Sequence, residues 1–313
     1  NHAGFTPLHD ALISGNAQNM QAYFTEVREA VSNNLITKAE YKQLLIDANH
    51  AGFTPLHQAL KSGNAQNMQA YFTEVREAVS SNLIITQAEY KQLLIGATHA
   101  GFTPLHAALI SGNAQNMQAY CTEVRVAVRN NLITQAEYKQ LLIGATHAGF
   151  TPLHEALISG NAENMQAYFK EVREAVSNNL ITQAEYKQLL IGANHAGFTP
   201  LHQAANSGSY PIYEAYMTAL IPLGQYVMDE VLFSKTKAGH LPSCQCGKSD
   251  SAQINAALNE IRSQFRPAAD AVAQQRGYND NHAKRARSPR LFGGDRRLSE
   301  EQTGAPSHRS FRR

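Results

Sequence analysis

Apolar residues in this chain fall at helical spacing and show no strand-like alternation. Met20, Phe24, Val27 and Val31 follow one another at steps of four, three and four, which is one buried stripe on a helix of about four turns. Asn16 stands at its start as a cap, and Ser32-Asn33-Asn34 breaks it. Ahead of it, Thr6-Pro7-Leu8-His9 opens a shorter helix with Pro in the first turn, where a missing N–H is harmless. Gly15 ends that helix. Downstream, Thr37 precedes Glu40 by three and Ile36 precedes Tyr41 by five, a capping box with a hydrophobic staple. A third helix carrying Leu44 and Leu45 follows.

This three-helix pattern recurs. His-Ala-Gly-Phe-Thr-Pro-Leu-His starts at His2, His50, His99, His147 and His195, at spacings of 48, 49, 48 and 48 residues. The longer spacing comes from one inserted residue at Leu83-Ile84-Ile85-Thr86, where the first copy reads Leu35-Ile36-Thr37. The pairs Thr86/Glu89, Thr134/Glu137 and Thr182/Glu185 repeat the capping box. A period of this length predicts a stacked array in which each unit buries its apolar face on its neighbours. The expected fold is all-α, with five repeats over residues 1–233, the fifth of them degenerate. A loop at 234–250, a helical segment at 251–277 and a disordered basic tail at 278–313 complete the expectation.

Composition narrows the function classes. Charged residues are 17% of the chain, below the roughly 25% usual in soluble domains, and the net charge is +2. The chain as a whole is therefore no electrostatic partner for nucleic acid or acidic membrane. No window approaches the roughly 18 apolar residues of a membrane-spanning helix. Three cysteines give no disulfide framework and fit a reducing compartment such as the cytoplasm. The text opens on Asn1 inside a repeat, so further sequence upstream is expected.

The pattern Gly-x-Thr-Pro-Leu-His-x-Ala, present as Gly4–Ala11, Gly52–Ala59, Gly101–Ala108, Gly149–Ala156 and Gly197–Ala204, resembles the signature of ankyrin repeats. The endings Leu93-Leu94-Ile95-Gly96-Ala97 and Leu141-Leu142-Ile143-Gly144-Ala145 resemble the close of such a unit. The resemblance covers about residues 1–210. It departs in two ways. An ankyrin unit has about 33 residues, so the capped third helix is an addition, and the few residues between Gly144-Ala145 and Gly149 leave no room for the family's projecting hairpin. The resemblance implies an ankyrin-like solenoid with a helical C-terminal cap, working as a non-enzymatic protein-binding scaffold without a cofactor. Such arrays are common in bacterial effectors, so a secreted protein acting in host cytoplasm is implied by analogy. The acidic Ser299-Glu300-Glu301 near the end faintly resembles a type IV effector signal. The alternative is the targeting module of an enzyme whose catalytic part is C-terminal or lies upstream.

Carried over by position, the family's groove would be lined by Phe5, Phe53, Phe102, Phe150 and Phe198, and by Ile13, Lys61, Ile110, Ile158 and Asn206. The phenylalanines either form an exposed apolar strip or pack into the next unit. A second row differs between near-identical copies: Asp10, Gln58, Ala107, Glu155 and Gln203. A core position does not accept both a carboxylate and a methyl cheaply, so this row is expected to be exposed and to contact the partner. The second histidines (His9, His57, His106, His154, His202) match the family position that ties neighbouring loops together. The first histidines (His2, His50, His99, His147, His195) are either turn residues or a pH-sensitive strip.

The end of the chain carries the remaining chemistry. Residues 210–233 are expected to close the array, with Pro211 and Pro222 interrupting the pattern and Tyr210, Tyr213 and Tyr216 lacking counterparts in it. Ile254, Leu258, Ile261 and Phe265 follow at helical spacing. His240, Cys244 and Cys246 supply at most three of the four ligands that zinc needs, so no metal is expected, and nothing nearby would orient a Cys/His nucleophile. Cys121 replaces Phe24, Phe72 and Phe169 of the other copies and is expected in the core. From Asn279 to Arg313 nine basic and four acidic residues give a net +5, a solvated tail that offers the only contact for RNA, a membrane surface or an acidic protein.

Overall fold

The computed structural model describes residues 3–80 and 84–265, and these contain helices, turns and no strand. The last part of the expected helical segment, the basic tail and His2 lie outside the described residues. Each of the first four units contributes three helices. The first helices are Pro7–Ile13, Pro55–Lys61, Pro104–Ile110 and Pro152–Ile158. The second are Ala17–Ser32, Ala65–Ser80, Ala114–Arg129 and Ala162–Ser177. The third are Lys38–Ile46, Gln87–Ile95, Gln135–Ile143 and Gln183–Ile191. No helix among the described residues is long and apolar enough to cross a membrane.

Local chemistry sets these boundaries. Thr6 caps the first helix with His9 as its reciprocal partner: the Thr6 N–H donates to His9 Nδ1 at 3.3 Å. Asn16 Oδ1 accepts from the N–H groups of Gln18 and Asn19 at 2.9 and 3.2 Å. Asn34, Asn131 and Asn179 adopt positive φ of 54–57° at the end of the second helices, and Leu132 N–H then reaches back to the Ala127 carbonyl at 2.9 Å. At the third helix the Thr37 N–H donates to Glu40 Oε2 at 2.7 Å and the Glu40 N–H to Thr37 Oγ1 at 3.1 Å.

Units stack through three kinds of contact. First helices lie side by side along the array, and second helices also neighbour one another. The third helix of one unit touches the first helix of the next. Its last turn is closed from that next unit: Tyr71, Tyr120, Tyr168 and Tyr216 donate their hydroxyls to the carbonyls of Leu45, Leu94, Leu142 and Leu190 at 2.6–2.7 Å. Those carbonyls sit in the final helical turn, where no intrahelical N–H is left for them.

The turns between units form a continuous hydrogen-bonded row. The N–H groups of His50, His99, His147, His195 and Lys237 donate to Ala3, Ala51, Ala100, Ala148 and Ala196 at 2.9–3.2 Å. Glycine is required beside this row. Gly101 has φ +79°, and a Cβ there would stand 3.0 Å from the next turn's His147 backbone nitrogen.

The fifth unit corrects two expectations. Its first helix is Pro200–Asn206 and its second is Tyr210–Leu220, and Tyr216 is the counterpart of Tyr168, doing the same work 48 residues on. A one-turn 3-10 helix, Ile221–Leu223, leads to a third helix, Gln225–Leu232. Residues 234–250 are without helix, as expected of a loop, but they begin with a sixth turn in register, so residues 210–233 do not end the row of turns. Thr236 N–H donates to the His240 carbonyl at 2.9 Å, and Thr236 Oγ1 accepts from the His240 N–H at 3.1 Å. The first helix of this sixth unit is replaced by an irregular segment, and residues 251–265 form a helix in the place of its second. That helix buries Ile254 and Leu258. Arg262 anchors it by donating to the Leu232 and Pro242 carbonyls at 3.1 and 2.6 Å.

Candidate functional site

The rows marked by the sequence occupy different depths. The row that varies between copies is not a surface strip. Asp10 is exposed and Gln203 half-buried, but Gln58, Ala107 and Glu155 are at most 7% exposed. The position is buried where a first helix has another first helix packed on each side. Burial of the Glu155 carboxyl pushes it up to about 7, because the enclosed position disfavours its charged form.

Phe5, Phe53, Phe102, Phe150 and Phe198 are all half-buried. The Phe53 and Phe102 rings lie 6.0 Å apart, and each phenylalanine stands edge-on or tilted against the second histidine of its own unit at 5.3–5.7 Å. The row is a partly covered seam between turns.

Those histidines are structural ties. Nε2 of His9, His57, His106 and His154 lies 3.0–3.2 Å from the carbonyls of Phe53, Phe102, Phe150 and Phe198, and His202 reaches the His240 carbonyl. A carbonyl only accepts, so Nε2 carries the proton and Nδ1 accepts from the capping threonine. Burial pushes the imidazoles of His57, His106 and His154 down to about 4, against the smaller lifting effect of those carbonyls. The other histidine row differs: the side chains of His50, His99, His147 and His195 are exposed.

The ends of the first helices are open. Ile13 is 50% exposed and Ile158 38%. Lys61 and Asn206 are exposed and Ile110 is half-buried between them. This row recurs once per unit, it varies between copies, and the frame beneath it is nearly invariant.

Two further features escaped the sequence. Three equivalent clefts of about 280, 270 and 340 Å³ lie between successive third helices, each with an apolar floor and a Glu, Gln and His at its rim: Glu89, Gln92 and His99, then Glu137, Gln140 and His147, then Glu185, Gln188 and His195. The glutamates are those of the capping boxes. A lysine of the preceding third helix and the capping threonine hold Glu89, Glu137 and Glu185 down to about 2. A polar groove of about 750 Å³ also runs between the first two second helices over Gln18, Gln21, Gln66 and Gln69.

Behind the surface, charge binds the second helices. Arg28 pairs with Glu74 at 2.9 Å, and Arg76 and Arg125 pair likewise with Glu123 and Glu171. Tyr41, Tyr90 and Tyr138 of the third helices donate to the same three carboxylates. Ala219 stands where the next acid would be, and Arg173 instead donates to the Phe169 carbonyl and covers that ring at 5.8 Å.

At the sixth turn the sequence singled out His240, Cys244 and Cys246. The two sulfurs are 2.8 Å apart, while no group of three or more His, Cys, Asp or Glu side chains with metal-binding geometry occurs among the described residues. Cys121 is 2% exposed in the core, as its helical register implied. No protein-family model matches the chain, and no curated protein is significantly similar to it.

Proposed function

We propose that the chain is an ankyrin-like solenoid with an elongated unit that acts as a non-enzymatic scaffold for a protein partner, through the helix-end row Ile13, Lys61, Ile110, Ile158. One observation supports this reading above the others. The first helices of four successive units end on Ile13, Lys61, Ile110 and Ile158, exposed or half-buried side chains at the same place in each unit, and beside that end Asn64 and Asn113 donate to the Gly15 and Gly63 carbonyls of the unit before at 2.6 and 2.7 Å. A rigid frame presents such side chains without an ordering cost on binding. The exposed Ile13 and Ile158 supply apolar contact area at two points of this row, and Lys61 adds a charge between them. The buried positions Gln58, Ala107 and Glu155 drop out of the contact set, and Asp10 remains at its edge.

The test uses the full chain as bait in a cell lysate, beside a variant carrying Ile13→Glu, Lys61→Glu and Ile158→Glu. All three sites are exposed, so helicity should be unchanged while the captured protein is lost. Capture of the same protein by both baits would remove this row from the interface.

A further inference from the structure

The irregular segment that replaces the first helix of the sixth unit holds two thiols in a built setting. Cys244 is 6% exposed and Cys246 half-exposed, and their sulfurs are 2.8 Å apart. The Cys244 backbone is gripped on both sides by Asn255, which accepts its N–H and donates to its carbonyl, each at 2.9 Å. Cys244 Sγ donates to Ser251 Oγ at 3.1 Å, and Ser251 Oγ is 3.4 Å from Cys246 Sγ. A hydroxyl that accepts from one thiol and donates to the other sulfur is a short proton relay between them. Lys248 follows two residues on, its ammonium donating to the Ser207 carbonyl at 2.6 Å. Gly208 leaves the space that Cys246 uses, since a Cβ there would lie 2.6 Å from its sulfur.

We propose that Cys244 and Cys246 form a redox-active dithiol that exchanges with low-molecular-weight disulfides of the glutathione class. Cys246 is the attacking group and Cys244 the resolving one. The Cys246 thiolate attacks one sulfur of the small disulfide, forming a mixed disulfide and expelling the first small thiolate. Cys244 passes its proton through Ser251 towards solvent. Its sulfur then attacks Cys246 Sγ, breaks the mixed disulfide and releases the second small thiolate. The dithiol loses two electrons, the small disulfide gains them, and the two thiol protons end on the two small thiols released.

Three features of the site assign these roles. Exposure favours Cys246 as the atom that meets a reagent, and the 2.8 Å separation favours closure over a stable adduct. Burial by itself lifts the Cys246 thiol, but its contacts with Cys244 and Ser251, the Lys248 backbone N–H and the Lys248 charge outweigh it and bring it to about 7. A disulfide between residues two apart closes a small, strained ring and is easily reduced, so the pair cycles instead of stapling the fold.

The experiment incubates the full chain in glutathione buffers of graded oxidised-to-reduced ratio, quenches with a maleimide and reads intact mass. The wild type should lose two titratable thiols together with no glutathione retained, reversibly, leaving Cys121 free. Cys244→Ser should accumulate one glutathione. Cys246→Ser should react about ten-fold more slowly at neutral pH, because the remaining thiol of the pair is buried. The pH profile of wild-type alkylation should have its midpoint near 7. Circular dichroism checks that each variant keeps its helices. A wild type that stops at a mixed disulfide, a bridge that includes Cys121, or a Cys246→Ser variant reacting at the wild-type rate would each overturn the assignment.

Discussion

Tyr120→Phe isolates one bond between units. The ring is fully buried, and its hydroxyl donates at 2.6 Å to the Leu94 carbonyl in the last turn of the preceding third helix. Phenylalanine keeps the ring and its packing but leaves that buried carbonyl without a donor. An unsatisfied buried acceptor costs about 1–3 kcal/mol. With a urea slope near ~3 kcal/mol/M the unfolding midpoint should fall by about 0.5 M. The repeat supplies its own control. Tyr23 occupies the same position in the first unit, is half-exposed, and has no third helix before it among the described residues. Tyr23→Phe should therefore move the midpoint little, while Tyr71→Phe and Tyr168→Phe should match Tyr120→Phe and, being two units apart, add to one another. Equal losses from Tyr23→Phe and Tyr120→Phe would refute the reasoning, since the hydroxyl would then act within its own unit. No loss from Tyr120→Phe would refute it equally.

Acid should loosen the array through its buried histidines. In the folded chain His57, His106 and His154 stay neutral down to about 4, whereas unfolded histidine takes a proton near 6.5. Between those values the unfolded state binds more protons, so urea midpoints should drop as pH falls from 6.5 towards 4, and a flat profile there would contradict the buried Nε2–H ties. Glu155 works in the opposite direction, because its folded carboxyl titrates near 7 and its unfolded one near 4.5. Glu155→Gln should thus gain stability relative to the wild type at pH 8 and lose that gain at pH 5; a gain independent of pH would mean that the carboxyl is not buried. Gly160→Ala, at φ +73° with open space around it, should cost about 1 kcal/mol of backbone strain. Gly101→Ala should cost clearly more by the same denaturation assay, because its Cβ meets the next turn's backbone, and equal costs would show that the turns are not packed this closely.

The local fold was legible in the residues. Thr37 with Glu40, Asn16, Pro7 and Gly15 each mark a helix end by their own chemistry, and repetition confirmed each signal several times over. Burial across units was less legible. The Asp10, Gln58, Ala107, Glu155, Gln203 row looks exposed because an acid and a methyl exchange there, and only the packing of the first helices shows that the acid is enclosed and its carboxyl pushed up. The Arg–Glu–Tyr sets join three elements of two units, so no local window contains them. The clefts between third helices use residues that the sequence had already assigned to caps. The sixth turn, Thr236-Lys237-Ala238-Gly239, shares Thr, Ala and Gly with Thr146-His147-Ala148-Gly149. It stands 42 residues after the previous turn, Lys237 against His195, and a search at a fixed period of 48 passes over it. Tyr216 keeps the full period after Tyr168, yet its altered neighbours Pro211 and Tyr213 hid the match.

The tied row of turns holds the units to one another, and backbone amide exchange on the intact chain tests it directly. The side chains of His50, His99, His147 and His195 are exposed, while their N–H groups donate to the turn before. Residue-resolved exchange should find these four amides protected together with the cores of the second helices. Exchange at the rate of an unfolded peptide would mean that the units move independently, and no rigid surface would then exist for a partner to read.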